Sequence, residues 1–99
     1  METKKIDSLQ LIPKAQDYIE YMLEIIIKLP RTEKFNIGNE YKQSLYETMK
    51  YILILIKEEK SQKVKRLIQI DTELNLQRIY LRIMNKYHWI DSKKYRNII

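Results

Sequence analysis

Apolar positions recur every three or four residues along most of this chain. Ile12, Ala15, Ile19, Met22, Ile26 and Leu29 line up as one continuous seam on a helix. Asp17, Glu20 and Glu24 fall off that seam and are expected to face water. Pro13 suits a first helical turn and Pro30 cannot continue a helix, so the spacing predicts a helix over 13–29. Residues 1–10 read as a flexible lead into it.

The stretch Leu29-Pro-Arg-Thr-Glu-Lys-Phe35 reads as a tight connection. Thr32 is the expected cap of the next helix, and Glu33 in its first turn favours the positive end of the dipole. The second helix is then expected over 33–58. Gly38 lies inside it, where glycine costs ~1 kcal/mol relative to alanine, so Asn39 is the alternative start. The longer helix is favoured, with Gly38 admitting the close approach of a neighbour. Two seams run along this helix. Tyr41, Leu45, Thr48, Ile52 and Leu55 form one; Tyr46, Met49, Leu53 and Ile56 form the other. One seam can pack within the monomer and the second requires a further partner, which points to an oligomer with Tyr46, Met49, Leu53 and Ile56 at its interface. The β-branched run Tyr51-Ile-Leu-Ile-Leu-Ile56 is also compatible with a buried strand, but its amphipathic N-terminal flank argues for helix.

Lys57–Lys63 reads as a charged turn. A third helix follows over 64–87, with Leu67, Ile70, Leu74, Leu81 and Met84 on one seam and Leu76, Ile79 and Ile83 beside it. Asp91 is the expected N-cap of a last segment, Ser92 to Ile99, about two turns long. Three long helices with short connections and a short or truncated fourth predict an all-α, up-and-down antiparallel four-helix bundle in one domain.

Composition agrees. A single Gly and two Pro among 99 residues leave little turn material for an all-β protein, and 44% hydrophobic residues are too many for a disordered chain. With no Cys, disulfides and thiolate metal sites are excluded. The longest strictly apolar run, 51–56, is far short of the ~20 residues of a membrane span, and the opening Met-Glu-Thr-Lys-Lys has no signal-peptide core. A cytoplasmic protein with no membrane association is expected.

Charge adds the functional direction. Residues 60–99 hold ten Lys or Arg against three acids, whereas residues 1–59 hold nine against ten, so the net charge of +6 resides in the C-terminal part. Such sorting on helices presents a basic surface to polyanions, nucleic acid above all. Arg78, Arg82 and Lys86 stand four residues apart and form a stripe; Lys65 and Arg66 lie nearer the start of the same helix, and Lys93, Lys94 and Arg96 follow just beyond it. The competing reading is a solvated helix face. The C-terminal cluster favours binding. Tyr80 and Tyr87 lie near the stripe, where stacking on unpaired bases competes with the commoner role of packing at a bundle edge.

Catalytic signals are lacking. His88, the single histidine, has no Cys beside it and no clustered carboxylates to complete a metal site. It reads instead as the end of the third helix, where the dipole favours its charged form. Asp71 and Glu73 are two apart on a helix and do not face each other. No Gly-rich phosphate loop and no RNA-binding signature motif is present, and no cofactor is expected.

Leu29-Pro-Arg-Thr-Glu-Lys-Phe35 followed by a long helix, and then Ile70-Asp-Thr-Glu-Leu-Asn-Leu-Gln-Arg-Ile-Tyr-Leu-Arg82, resemble a known family over about residues 10–99. This is the group of small four-helix bundles that includes Avd, the accessory variability determinant of diversity-generating retroelements, and the proteins encoded in bacterial large-subunit rRNA intervening sequences. The resemblance implies a non-enzymatic basic bundle that assembles as a ring, commonly a pentamer, binds RNA and, in the Avd branch, partners a reverse transcriptase. It implies a nucleic-acid or polymerase contact for Arg78 and Arg82. An rRNA-associated bundle, or a protein scaffold with no nucleic-acid role, are the alternatives. Members of this family continue through a full fourth helix, of which Ser92–Ile99 supplies about two turns.

Overall fold

The computed structural model describes residues 2–91 together with Lys93 and Arg96, with side chains from Gln10 onward. Among these residues all regular structure is helical: α1 (Glu2–Ile27), α2 (Arg31–Lys34), α3 (Ile37–Lys57) and α4 (Lys60–Lys86). Three of these are long, and they form a body of 45 × 22 × 20 Å in which α1 and α4 each pack on α3.

α1 opens at Glu2 rather than near Pro13, which sits inside it, and so takes in most of the segment read as a flexible lead. Proline fits helical φ; what it removes is one hydrogen bond to the preceding turn, which the residues upstream survive. The helix ends as expected before Pro30, with Lys28 and Leu29 tightening into i→i−3 bonds to the carbonyls of Ile25 and Ile26.

The connection to α3 differs from expectation. The single helix foreseen from Glu33 divides at Phe35 and Asn36, because Asn36 leaves helical geometry with φ −105° and ψ −94°. Two side-chain amides take up local carbonyls there: Asn36 Nδ2 donates to Thr32 O at 3.0 Å and Asn39 Nδ2 to Phe35 O at 2.9 Å. Asparagine competes in this way with the helical ladder. Thr32 is not a cap; Pro30 holds that position, without a side-chain cap bond. Gly38 does admit a close neighbour. A Cβ at this buried glycine would stand 3.2 Å from Ile26 Cγ2 and 3.3 Å from the Glu33 carbonyl oxygen.

The core gathers at one end, where Met22, Ile25 and Ile26 of α1 and Leu29 just after it meet Tyr41 and Leu45 of α3, Leu81 and Met84 of α4, and Ile90. The run 51–56 is helical, and the first α3 seam is buried through Tyr41, Leu45, Thr48 and Ile52. The α4 seam is only half realised. Leu81 and Met84 are fully buried, but Ile70 and Leu74 are half-buried and Leu67 is exposed. These three line an apolar groove of about 370 Å³ with Leu11, Ala15 and Ile52, where the first half of α1 and the first half of α4 flank the end of α3.

Polar groups join the helices beside the core. Gln77, 1% exposed, donates through Nε2 to Ser44 Oγ at 3.0 Å and Thr48 Oγ1 at 2.9 Å. The Ser44 hydroxyl in turn donates to Glu73 Oε1 at 2.7 Å, and Thr48 donates to the Ser44 carbonyl at 2.8 Å. Tyr18 of α1 reaches Gln77 Oε1 at 3.4 Å.

α4 closes in a Schellman turn. Trp89 N–H bonds to the Met84 carbonyl at 2.9 Å and His88 N–H to that of Asn85 at 3.0 Å, with His88 in the left-handed region at φ 61°. Asp91 then behaves as the expected cap: its Oδ1 accepts the Lys93 N–H at 2.7 Å, and Lys93 and Arg96 are helical. The rest of the expected fourth helix, including Lys94, lies outside the described residues.

Candidate nucleic-acid interface

Arg78, Arg82 and Lys86 are all exposed on α4. A spacing of four drifts only ~40° around a helix, so the three cations form a stripe about 12 Å long. Among the described residues two salt bridges form, Lys50–Glu47 and Arg66–Glu58, and neither involves the stripe. Arg78 is steadied by a neutral partner: its Nη1 donates to Asn75 Oδ1 at 2.9 Å, which leaves its charge available. Asn75 also donates to Asp71 at 3.3 Å, so an acid marks the upstream end of this face.

Lys65 and Arg66 do not join the stripe. At ~100° per residue, Lys65 lies about 140° around α4 from Arg78 and roughly 20 Å along it. Lys65 is exposed; Arg66 is half-buried and committed. Its Nε donates to Glu58 Oε1 at 2.6 Å, its Nη1 to Gln69 Oε1 at 2.7 Å, and its guanidinium lies 5.6 Å from the Tyr51 ring centroid. The hydrogen bond that Arg66 donates to Glu58 holds the Arg66 pKa above its ordinary value. This pair ties the start of α4 to the end of α3.

The other cations gather at the end of α4. Lys93 and Arg96 are exposed beyond the Asp91 turn, while Lys94 is not among the described residues. Lys28, just past the end of α1, is also there, lining a hollow of about 220 Å³ with Ile25, Trp89, Ile90 and Asp91. Sequence reasoning did not find Lys28, since only folding brings the end of α1 to the turn after α4.

The two tyrosines near the stripe part company. Tyr80 is half-buried and tilted 54° against Tyr41, with centroids 6.3 Å apart. Its hydroxyl pKa is raised by burial, and further by Glu40 and Glu73. Tyr80 is therefore a packing residue. Tyr87 is 58% exposed and stacks on Trp89.

The seam expected at an oligomer interface is open. Tyr46 is 52% and Leu53 44% exposed, and Met49 and Ile56 are half-buried. Tyr46, Met49 and Leu53 line a groove of about 430 Å³ against Ile19, Gln16 and Glu20 of α1.

His88 and Asp71 are both exposed, and the Glu73 carboxylate accepts the Ser44 hydroxyl. Among the described residues no three His, Cys, Asp or Glu side chains are grouped to hold a metal ion. No described helix is long and apolar enough to cross a membrane.

These features define a small all-α protein with a basic face on its last long helix and an open apolar seam on the middle one. The chain belongs to the bAvd-like family, whose model matches residues 9–99. No curated protein and no solved structure matches it.

Proposed function

We propose that this protein is a non-enzymatic accessory bundle that binds RNA through α4 and the segment after it and, as a cytoplasmic partner, positions that RNA for a reverse transcriptase. The observation that carries the RNA reading is the line of Arg78, Arg82 and Lys86, all exposed and outside the salt bridges of the described residues. Lys93 and Arg96 extend the positive surface past the Asp91 turn, with Lys94 between them in sequence. Such a surface holds phosphates and gives position without reading sequence. Membership of the bAvd-like family supports the accessory role and the polymerase partner. Chemistry belongs to the polymerase; the bundle holds the template.

In the same proposal the bundle assembles through Tyr46, Met49, Leu53 and Ile56 into a closed ring, a pentamer by family resemblance, and 92–99 adds a short fourth helix. Apolar exposure at Tyr46 and Leu53 supports assembly, since burying such a seam is favourable. The same exposure favours a second reading, a scaffold that docks a protein partner without RNA. Light scattering on the purified protein separates the two, with and without a structured RNA, at low and high salt. A closed oligomer that takes up RNA at low salt and sheds it at high salt is the expected result. A particle indifferent to RNA at low salt removes the RNA reading.

A further inference from the structure

Tyr87 and Trp89 stack with ring centroids 5.1 Å apart and planes 21° from parallel. The Schellman turn fixes this pair: the Tyr87 N–H is tied to Ile83, the His88 N–H to Asn85 and the Trp89 N–H to Met84, so each backbone N–H from one ring to the other is bonded. Trp89 is half-buried and packs against the core cluster, whereas Tyr87 is 58% exposed. One ring anchors the pair and the other presents its surface to water.

Cations stand near this pair in the chain, and one of them shares a hollow with Trp89 in the fold. Lys86 precedes Tyr87 directly, Lys28 shares a hollow with Trp89, and Lys93 follows the Asp91 turn; all three are exposed. A rigid aromatic surface among lysines suits a ligand with a flat π face and flanking negative charge. Nucleotides have both.

We infer that the Tyr87–Trp89 pair is a stacking platform for an unpaired nucleobase, with Lys28, Lys86 and Lys93 holding the adjacent phosphates. This rests on the RNA-binding reading above and adds the class of RNA taken there: a single-stranded segment, whose bases offer free faces that an internal duplex base pair does not. The stripe of α4 holds the backbone, and the platform marks where the strand must be unpaired.

Trp89 is the single tryptophan, so its emission reports directly on the platform. The full chain is titrated with a short oligouridylate and with an abasic phosphodiester oligomer of equal length. The oligouridylate quenches Trp89 and binds about tenfold more tightly than the abasic oligomer, in keeping with the worth of one base–aromatic stack. Tyr87→Phe keeps both effects. Tyr87→Leu loses the preference while binding the abasic oligomer as before, with circular dichroism confirming the fold. Equal affinity of the wild-type chain for the two oligomers overturns the platform and leaves RNA binding by α4 standing, as does a preference that survives in Tyr87→Leu. Failure of both oligomers to bind at low salt overturns the platform and the RNA reading together.

Discussion

Gln77 Nε2 donates to Thr48 Oγ1 at 2.9 Å across the α3–α4 contact, and its second hydrogen goes to Ser44 Oγ at 3.0 Å. Both donors of a buried amide are thus used, on hydroxyls one helical turn apart, and a slip of either helix would break both bonds. A satisfied polar network of this kind fixes how two apolar faces meet. Gln77→Ala removes these bonds and leaves a cavity, so it is expected to lower unfolding stability by about 2–3 kcal/mol in urea titrations. A loss below ~0.5 kcal/mol would show that the network adds nothing to stability.

Tyr41 lies in the core with its hydroxyl buried and, among the described residues, without a hydrogen-bond partner in good geometry; the nearby Tyr18 hydroxyl donates to Gln77 Oε1. Removing an unpaired buried hydroxyl relieves a penalty, so Tyr41→Phe is expected to gain about 1 kcal/mol at neutral pH.

The same residue sets a limit at high pH. Burial, with Tyr18 adding to it, pushes the Tyr41 pKa far above the ordinary 10.0. The folded state therefore keeps a proton that the unfolded state gives up. Its contribution is fully present below pH 10 and is lost as pH rises beyond it, by about 1.4 kcal/mol per pH unit. The stability of the wild type should fall more steeply between pH 10 and 11.5 than that of Tyr41→Phe. Parallel profiles would contradict this.

Gly38 sits where α3 crosses α1, with the Glu33 carbonyl only 3.3 Å from the place of a Cβ. A backbone oxygen cannot swing aside as a side chain can. Crowding then exceeds the ~1 kcal/mol that alanine gains in a helix. Gly38→Ala is expected to lose about 1 kcal/mol and Gly38→Leu about 3 kcal/mol in thermal or urea unfolding, and a stabilised alanine variant would refute the close crossing.

Arg66 and Arg78 are both arginines of α4, but their surroundings assign them different work. Arg66 is bonded to Glu58 and Gln69, whereas Arg78 has only Asn75 among the described residues. Arg66→Ala should lower the unfolding midpoint and leave RNA affinity nearly unchanged; Arg78→Ala should do the reverse. Parallel calorimetric scans and RNA titrations of the two variants check this, and a large loss of RNA affinity in Arg66→Ala would return it to the binding surface.

Much of the fold is legible in the residue pattern. Spacing identifies the α3 face through Tyr41, Leu45, Thr48 and Ile52, all buried, and Leu55, half-buried, and the helical state of 51–56; residue type identifies the close approach at Gly38 and the cap at Asp91. The misses have a common origin in contacts between distant residues or in local side-chain competition. Pro13 is tolerated inside α1, and Asn36, whose amide takes up the Thr32 carbonyl, divides the helix expected over 33–58 ahead of α3. Gln77 reads as one polar residue on a polar helix until Ser44 and Thr48 are seen opposite it. For the candidate site, four-residue spacing is enough to align Arg78, Arg82 and Lys86, but it says nothing of the Glu58 partner of Arg66 or of Lys28 beside Trp89. Nor does it separate half-buried Tyr80 from exposed Tyr87, because helical phase alone does not say how far α3 covers α4.

RNA affinity as a function of salt tests the proposed role of α4 most directly. The logarithm of the binding constant falls with the logarithm of salt in proportion to the phosphates neutralised, at about 0.7 per contact on a single strand. If Arg78 and Arg82 each hold a phosphate, the double alanine variant should bind at least tenfold more weakly at low salt, with a slope shallower by about 1.4. A double variant with the affinity and slope of the wild type would contradict it.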